Sequence, residues 1–336
     1  MLPFICLWVP IATAAGPAEI SLDRASPDWD RWNYGFNASP GTRSVGSTFS
    51  AFESGYPFDD RDGQVLVAYI TGDEVDAGWP ASAYRVVSCV LEVSIASDDL
   101  FYDPTVDSYV THGQNGQADE DPGRAMILSG VGYRNGFDVW SFGEEGPFGD
   151  PMASGVRNCY PIDFTDQGVA RDISNSITEG FDPSPWSVGE IQSLSSGDAI
   201  PAYSVVRFEL NVEDTDVQCG LRTGLADGVL PLMISSLHPA SEPGSGGPAA
   251  YPDWVLRENP LIDLGITSAA RLQLQVELVP PSDVSGDVTG DGLVSIDDLL
   301  VLLGSFGRCP CCPADVDQSG GVDVNDVLLV IGAWDQ

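Results

Sequence analysis

The chain contains no lysine, and all fourteen of its basic residues are arginine. This absence excludes chemistry that depends on a lysine side chain, such as Schiff-base catalysis or phosphate binding by a P-loop. Histidine is almost as scarce. His112 and His238 lie in loop-like segments, outside any H-E-x-x-H or G-x-S-x-G motif. We therefore expect both histidines to be ordinary surface residues rather than catalytic ones.

Positive charge is scarce as well: the chain has 14 basic and 50 acidic residues, and its net charge is −36. Such a surface repels phosphate, so we expect neither nucleic acid nor an anionic membrane as a partner. Most of the carboxylates fit a soluble acidic surface, although some of them are candidates for binding cations. The hydrophobic content of 43% indicates a folded, globular chain.

Residues 1–15 predict a secretory signal peptide. An apolar run precedes Ala12, Thr13 and Ala14, which fit an A-x-A cleavage site, and the run is too short to span a membrane. We therefore expect a secreted protein, extracellular or at the cell surface, with no membrane span. A buried first strand is the alternative interpretation.

Cleavage at this site leaves six cysteines. An even number in a secreted chain favours disulfide bonds, although the sequence does not fix their pairing. Three of these cysteines are close enough in sequence for a metal cluster, but three thiolates without a nearby histidine make a poor zinc site. The six are Cys89, Cys159, Cys219, Cys309, Cys311 and Cys312.

Residues 16–281 predict an antiparallel β-sandwich of the jelly-roll kind. Apolar residues alternate in segments 85–95, 205–212 and 271–279, which is typical of strands with one buried face. Segment 65–70 is apolar throughout. No long segment with the apolar spacing of a helix precedes residue 296, and glycine and proline supply many turns. In segment 85–95 we expect one face of the strand to carry Val87, Cys89, Leu91, Val93 and Ile95.

Near the start of this domain, Trp32, Tyr34 and Phe36 alternate on one strand face. We interpret them as core residues rather than a sugar-stacking platform. Asp59, Asp60 and Asp62 follow in a tight turn, for which an ordinary acidic turn is favoured over a structural calcium site.

Segments 28–43 and 58–70, which contain these residues, resemble the opening of DNRLRE-type jelly-roll domains of secreted bacterial proteins. Some of these domains bind polysaccharide. The resemblance implies a fold like that of a carbohydrate-binding module and leaves the ligand open.

The end of the chain is an internal duplication. Residues 287–306 align with residues 315–334 at an offset of 28, with identity at seven of the 20 positions. Each copy fits a 12-residue calcium loop, with Gly292 or Gly320 at the sharp turn. We expect two calcium ions. The predicted ligands are Asp287, Thr289, Asp291, Leu293 (carbonyl), Ser295 and Asp298 in the first loop, and Asp315, Asp317, Ser319, Gly321 (carbonyl), Asp323 and Asp326 in the second.

Apolar runs 299–303 and 327–331 follow the two loops and predict short helices that end at a glycine. Prolines before each loop exclude an entering helix. We expect the two helices to pair and cover each other, because each is apolar nearly all round. The predicted boundaries are a linker at 282–286 and a calcium-binding domain at 287–336.

These loops, the leucine-rich helices and the Cys-Pro-Ala-Asp that opens the second repeat resemble dockerin type I. They are more similar to the tails of GC-type dockerin domain-anchored proteins of bacteria. The resemblance implies two F-hand calcium loops in a small α-helical domain, and a cohesin-like or cell-surface anchoring partner. Loop positions 10 and 11, often hydroxylic in cellulosomal dockerins, depart from that pattern here. They are Ile296, Asp297, Val324 and Asn325.

Two functions follow from these observations. The favoured one is a secreted, non-catalytic β-sandwich protein that is anchored or docked through its tail and binds polysaccharide. The alternative is a polysaccharide-active enzyme, a glycoside hydrolase or lyase, that carries the same tail. A convergent carboxylate cluster in an open groove would favour the enzyme.

Overall fold

The computed structural model describes residues 18–35, 37, 39–50, 62–111, 122–149, 157–165, 168–240, 250–279 and 284–334. The predicted signal peptide lies outside these residues, as do Phe36, Asp59, Asp60 and His112.

The described part of the chain contains mainly strands, with short helices between them. The strands are β1 Ala18–Arg24, β2 Trp29–Asn33, β3 Val45–Ser47, β4 Gln64–Ile70, β5 Tyr84–Ser94, β6 Met126–Tyr133, β7 Cys159–Phe164, β8 Ala170–Asp172, β9 Ser187–Val188, β10 Val205–Glu209, β11 Val229–Ser236, β12 Asp253–Val255, β13 Arg271–Leu278, β14 Gly307–Arg308 and β15 Gly321–Val322. The α-helices are α1 Val139–Phe142, α2 Ser176–Glu179, α3 Thr215–Asp227, α4 Pro260–Asp263, α5 Ile296–Gly304 and α6 Val324–Gly332. Single 3₁₀ turns occur at Pro40–Thr42, Ala81–Ala83, Tyr109–Thr111 and Ile173–Asn175. Within the described ranges, no helix has both the length and the apolar character needed to cross a membrane.

Two antiparallel sheets build the large domain, which confirms a mainly β fold. The first has the order β1-β13-β5-β10, and the second has the order β2-β4-β11-β6-β7-β8, with β9 paired to β6. One hydrophobic core lies between the sheets. Leu272, Leu274 and Val276 of β13 share it with Val67 and Tyr69 of β4. The alternation predicted for segment 271–279 is therefore the inward face of a sheet.

Strand β4 is buried along nearly its whole length, as its continuous apolar sequence predicted. Val65 and Val67 face the core between the sheets. Leu66 and Ala68 face the other side, where Phe142 and Val139 of α1 cover them. A strand covered on both faces has no polar alternation, because neither of its faces meets water.

The predicted face of β5 is correct except at Val87. Cys89, Leu91, Val93 and Ile95 are buried, but the side chain of Val87 is 42% exposed. The cause is a bulge: Gln275 pairs with Ser88, whereas the next residue of β13 pairs with Val86. One extra residue in a strand reverses the alternation beyond it, so the buried side chain there is that of Val86.

Helix α3 contradicts the prediction that no substantial helix precedes residue 296. The side chain of Asp214 caps its first turn, and Gly228, with φ of 75°, ends it. Its buried residues Val217, Leu221 and Leu225 belong to the core between the sheets. These three residues recur at every fourth position, as on one face of a helix. Each turn contributes only one of them, and glycine, arginine and threonine lie between them, so the sequence indicates a helix only weakly.

Trp32 and Tyr34 lie together but are half-buried, and Trp32 packs against the core rather than inside it. Strand β2 ends at Asn33, so Tyr34 lies beyond the strand on which it was predicted. Trp32 stacks on Tyr34 at 4.6 Å between ring centroids, and both rings approach Phe49. The indole Nε1 of Trp32 donates a hydrogen bond to the carbonyl of Ser47 at 2.7 Å. These contacts fix the position of the Trp32 ring.

Asp62, the described member of the predicted acidic turn, has partners within the protein. It is buried, its Oδ1 accepts a hydrogen bond from Ser50 at 3.2 Å, and its Oδ2 lies 3.8 Å from Nη2 of Arg157. These contacts favour the interpretation that Asp62 has a structural role in an acidic turn.

Four of the six cysteines are paired. Disulfide bonds join Cys309 to Cys312 within the tail, and Cys219 of α3 to Cys311 of the tail. All three clustered cysteines of the tail are therefore in disulfide bonds, and none of them remains as a thiolate that could bind a metal. Cys89 and Cys159 are free and buried, and burial raises the pKa of each thiol to about 12. Neither thiol is therefore suited to act as a nucleophile.

Helix α3 carries a covalent link and hydrogen bonds to the tail. Besides the disulfide, Arg222 of α3 donates a hydrogen bond to the carbonyl of Cys311 at 2.8 Å. Arg308 pairs with Asp216 at the first turn of α3. A covalent bond and two charged contacts thus hold the tail against the β domain.

His238 is buried, contrary to the expectation of a surface residue. It follows β11, its backbone carbonyl accepts a hydrogen bond from Ser50 at 2.8 Å, and its side chain remains in the protein interior. Burial, together with the nearby charge of Arg124, lowers the pKa of the imidazole to about 3. The histidine is therefore neutral in the folded protein near neutral pH.

The buried imidazole predicts that stability falls with acidification below the pKa of an unfolded histidine, 6.5. Below this pH the imidazole gains a proton in the unfolded chain but not in the folded protein. The free energy of unfolding of the wild type should therefore fall by about 1.4 kcal/mol per pH unit relative to that of His238→Gln. This loss ends near the folded pKa of about 3. Urea denaturation of both proteins between about pH 7 and about pH 5 measures the difference. Parallel pH profiles would show that His238 titrates normally.

The link between the tail and α3 predicts unequal effects of removing the two disulfides. Cys219→Ser combined with Cys311→Ser opens a loop with a sequence separation of 92 residues, and should lower stability by about 2–4 kcal/mol. Cys309→Ser combined with Cys312→Ser is the matched control, because it opens a separation of only 3 residues. Denaturation in non-reducing buffer compares the two variants. Equal losses would contradict a special role for the longer link.

Candidate metal centre

Both predicted calcium loops lead directly into a helix. Residues 287–298 run into α5, and residues 315–326 run into α6. Ser295 and Asp323 are the N-caps of these helices, and Asp298 and Asp326 occupy the third helical position in a reciprocal capping box. The last predicted ligand of each loop is therefore positioned by the first turn of a helix.

These two closing aspartates are fully buried yet well supplied with hydrogen-bond donors. Asp298 accepts from the backbone N–H of Thr289 at 2.9 Å and from that of Ser295 at 2.7 Å. Asp326 accepts in the same way from Val316 and Asp323, both at 2.8 Å. Burial opposes ionisation, but these donors outweigh it and hold the pKa of both carboxyl groups below the usual value. Each loop therefore closes on a fixed negative charge.

The first aspartate of each loop organises the turn in the same manner. Asp287 accepts from the backbone N–H groups of Gly290 at 2.8 Å and Gly292 at 2.7 Å. Asp315 accepts from Ser319 at 2.9 Å and from Gly320 at 2.8 Å. The sequence repeat at an offset of 28 is thus also a repeat of hydrogen bonds.

The sharp turn falls where the sequence predicted it. Gly292 and Gly320, at loop position 6, have φ of 87° and 92°. Position 4 is also left-handed, with φ of 75° at Gly290 and 58° at Gln318. This second turn was missed, because glutamine carries no sequence signal for positive φ.

The second loop gathers its acids around one point. Asp315, Asp317 and Asp326 each place one carboxylate oxygen within 4.8 Å of the others. Two oxygens that bind the same calcium ion at 2.3–2.6 Å lie at most about 5 Å apart, so the spacing fits this ion. The side chain of Asp323 accepts from Asn325 N–H at 2.6 Å, and Ser319 donates to the carbonyl of Gly321 at 3.0 Å. Both predicted ligands thus border the site while making local hydrogen bonds.

The first loop is less tightly gathered: within the described residues, its acids do not form a comparable group of three. Asp291 accepts from the N–H of Leu293 at 2.9 Å, and Thr289 donates to Asp298 at 3.0 Å. Ser295 uses its side-chain oxygen to cap α5. Its donor set is nonetheless all oxygen, which suits a hard cation such as calcium.

A small core and a two-stranded ribbon hold the two loops together. Leu302 of α5 and Val330 of α6 pack with Ala314 and Val322, and β14 pairs with β15. The two helices do pair, as predicted, through Leu302 and Val330, but they cover each other only in part. Two helices in contact bury one stripe each, so most apolar side chains of these nine-residue helices remain exposed. They include Ile296, Leu300, Val301, Leu303, Val324, Leu328, Leu329 and Ile331.

Comparison with known proteins adds no relative: the chain matches no family model, no curated protein and no solved structure.

The second loop predicts a specific loss of cation binding. Asp326→Asn, which removes a buried anionic ligand, should lower calcium stoichiometry by one ion relative to wild type and lower thermal stability in calcium. Asp297→Asn is the matched control, because this exposed acid is outside the predicted ligand set and should leave both quantities unchanged. Titration calorimetry counts the ions, and thermal denaturation with and without EDTA measures the stabilisation. An unaltered stoichiometry in Asp326→Asn would contradict the assignment.

Proposed function

We propose that this chain is a secreted, non-catalytic protein held on a partner by a calcium-binding, dockerin-like tail. Its β domain would be a sandwich of the jelly-roll type that binds polysaccharide. The observation that carries the proposal is an apolar stripe that is exposed and repeated on both helices of the tail.

The stripe has the same spacing on each helix, with an aliphatic side chain at every position. On α5 it comprises Ile296, Leu300 and Leu303, whose exposed fractions are 55%, 58% and 50%. The equivalent residues of α6 are Val324, Leu328 and Ile331, exposed by 61%, 61% and 49%. The spacing i, i+4, i+7 places each set on one helix face. Rows of exposed leucine and isoleucine on a chain of net charge −36 are typical of a protein-binding surface.

The stripe is coupled to the calcium loops through its first residue. Ile296 and Val324 are the first residues of α5 and α6, and they lie two positions before the closing aspartates. Calcium, when bound, would supply positive charge that holds the loop carboxylates together. The aspartates themselves fix the direction in which each helix leaves its loop. Loss of calcium would therefore disturb the stripe as well as the loops.

The partner we propose is a cohesin-like domain at the cell surface. A domain of this kind would bind the two helices through an apolar surface. The residues at loop positions 10 and 11 differ from the hydroxylic pair of cellulosomal dockerins. An apolar contact at Ile296 and Val324 would take the place of those polar contacts.

A non-catalytic β domain is preferred over a glycoside hydrolase or lyase. Within the described ranges, the one gathered group of three acids in this domain contains Asp30, whose side chain is fully buried and so out of reach of a polysaccharide. His238 is buried and neutral. Binding without turnover is supported by exposed indoles, since the Trp140 and Trp79 side chains are 52% and 39% exposed and could stack on sugar rings.

The test is calcium-dependent binding of the full chain to a panel of immobilised, purified cohesin modules. Leu300→Asp combined with Leu328→Asp places a charge in both stripes and should weaken binding at least about tenfold. Leu264→Asp is the matched control, because Leu264 is an equally exposed leucine in the β domain. EDTA should abolish binding by the wild-type chain.

Three results would contradict the proposal. The first is failure to bind any module of the panel. The second is binding that persists in EDTA or in the double variant. The third is turnover of cellulose, xylan, chitin or pectin by the full chain, which would favour the enzyme.

A further inference from the structure

Three acids from distant parts of the sequence meet in the β domain, one of them buried, one half-buried and one exposed. Asp30 lies on β2, Glu144 follows α1, and Glu258 follows β12. One carboxylate oxygen of each lies within 4.8 Å of the others. Like charges repel at this distance, so either positive charge lies nearby or one carboxyl group holds a proton; burial, with the neighbouring carboxylates, raises the pKa of Asp30 to about 7.

Asp30 is the buried member of the group, with an exposed fraction of 0%. Its Oδ2 accepts a hydrogen bond from the backbone N–H of Arg257 at 2.9 Å. Its Oδ1 is also buried and has no hydrogen-bond partner among the described residues. Burying a carboxylate oxygen without a donor is unfavourable, so this atom is suited to a ligand that supplies positive charge.

The side chain of Arg257 provides part of that charge but is already engaged. Its Nε donates to Glu258 at 2.7 Å, and its Nη2 lies 2.7 Å and 2.8 Å from the two carboxylate oxygens of Glu144. Its Nη1 donates to the carbonyl of Asp28. When all three carboxyl groups are ionised, this one guanidinium leaves two negative charges, the charge that one divalent cation neutralises.

A second guanidinium positions the site without pairing with its carboxylates. Arg31 donates from Nη1 to the backbone carbonyls of Glu144, at 3.0 Å, and Gly146, at 2.7 Å. Its guanidinium also lies over the ring of Phe142 at 4.4 Å. These contacts hold the segment after α1 against β2, which brings the Glu144 side chain next to Asp30.

We propose that Asp30, Glu144 and Glu258 form a binding site for a divalent cation, with calcium as the ion that the donor set favours. All three donors are carboxylate oxygens, and their spacing lies within the limit of about 5 Å for two ligands of one calcium ion. Glu258 is exposed, so water reaches this side and completes the coordination. The site is separate from the tail loops and does not depend on the proposed function.

A cation here would join three segments that are remote in sequence. It would tie β2 to the segment after α1 and to the turn after β12. Calcium should therefore stabilise the β domain itself, in addition to any effect on the tail.

The experiment counts calcium ions bound by the full chain at free calcium up to about 1 mM, the range of extracellular sites. Asp30→Asn and Glu258→Gln should each bind one ion fewer than wild type. Glu145→Gln is the matched control, since it removes a neighbouring negative charge without removing a ligand, and should bind as many ions as wild type. Asp298→Asn combined with Asp326→Asn, which disables the tail loops, should retain the ion at Asp30.

These outcomes test the Asp30 site independently of calcium binding by the tail loops. A variant with disabled tail loops that binds no calcium would overturn the Asp30 site, whatever the tail does. Unchanged calcium stoichiometry in both Asp30→Asn and Glu258→Gln would overturn it as well. An equal loss of calcium in Glu145→Gln would also overturn it, because the loss would then follow from the lower negative charge and not from the removal of a ligand. Because Glu258 is exposed, Glu258→Gln keeps the test valid if Asp30→Asn fails to fold.

Discussion

The packing of α3 between the two sheets is the contact on which the arrangement of the whole chain depends. Val217, Leu221 and Leu225 place one face of the helix in the core. The opposite part of its surface carries Cys219 and Arg222, which bind the tail. The hydrophobic contact that stabilises the β domain therefore also sets the position of the predicted calcium loops, although these lie far along the sequence.

The molecule concentrates negative charge and then uses its backbone to stabilise it. In both loops of the tail, peptide N–H groups donate to the first and last aspartates. At the last aspartate of each loop these donors hold the pKa of the carboxyl group below its usual value. The Asp30 group of the β domain is arranged differently, because a guanidinium and one N–H leave a buried oxygen without a donor. The two proposed cation sites thus gather their carboxylates by different means.

Sequence reasoning succeeded where a feature is local or periodic. Strands β10 and β13 follow from apolar alternation, and the position-6 turns follow from a glycine within a repeated motif. It failed where a distant contact decides the outcome. The exposure of Val87 depends on a bulge opposite β13, and the meeting of Asp30 with Glu258 depends on strand order. No short-range pattern in the sequence encodes either contact.

The bond between Cys219 and Cys311 also determines how the molecule would carry mechanical load. A pull applied to α6 travels back along the chain to Cys311, crosses the disulfide, and enters α3. From there it spreads into the packed core between the sheets. An anchored protein of this design would resist shear through its most deeply packed helix.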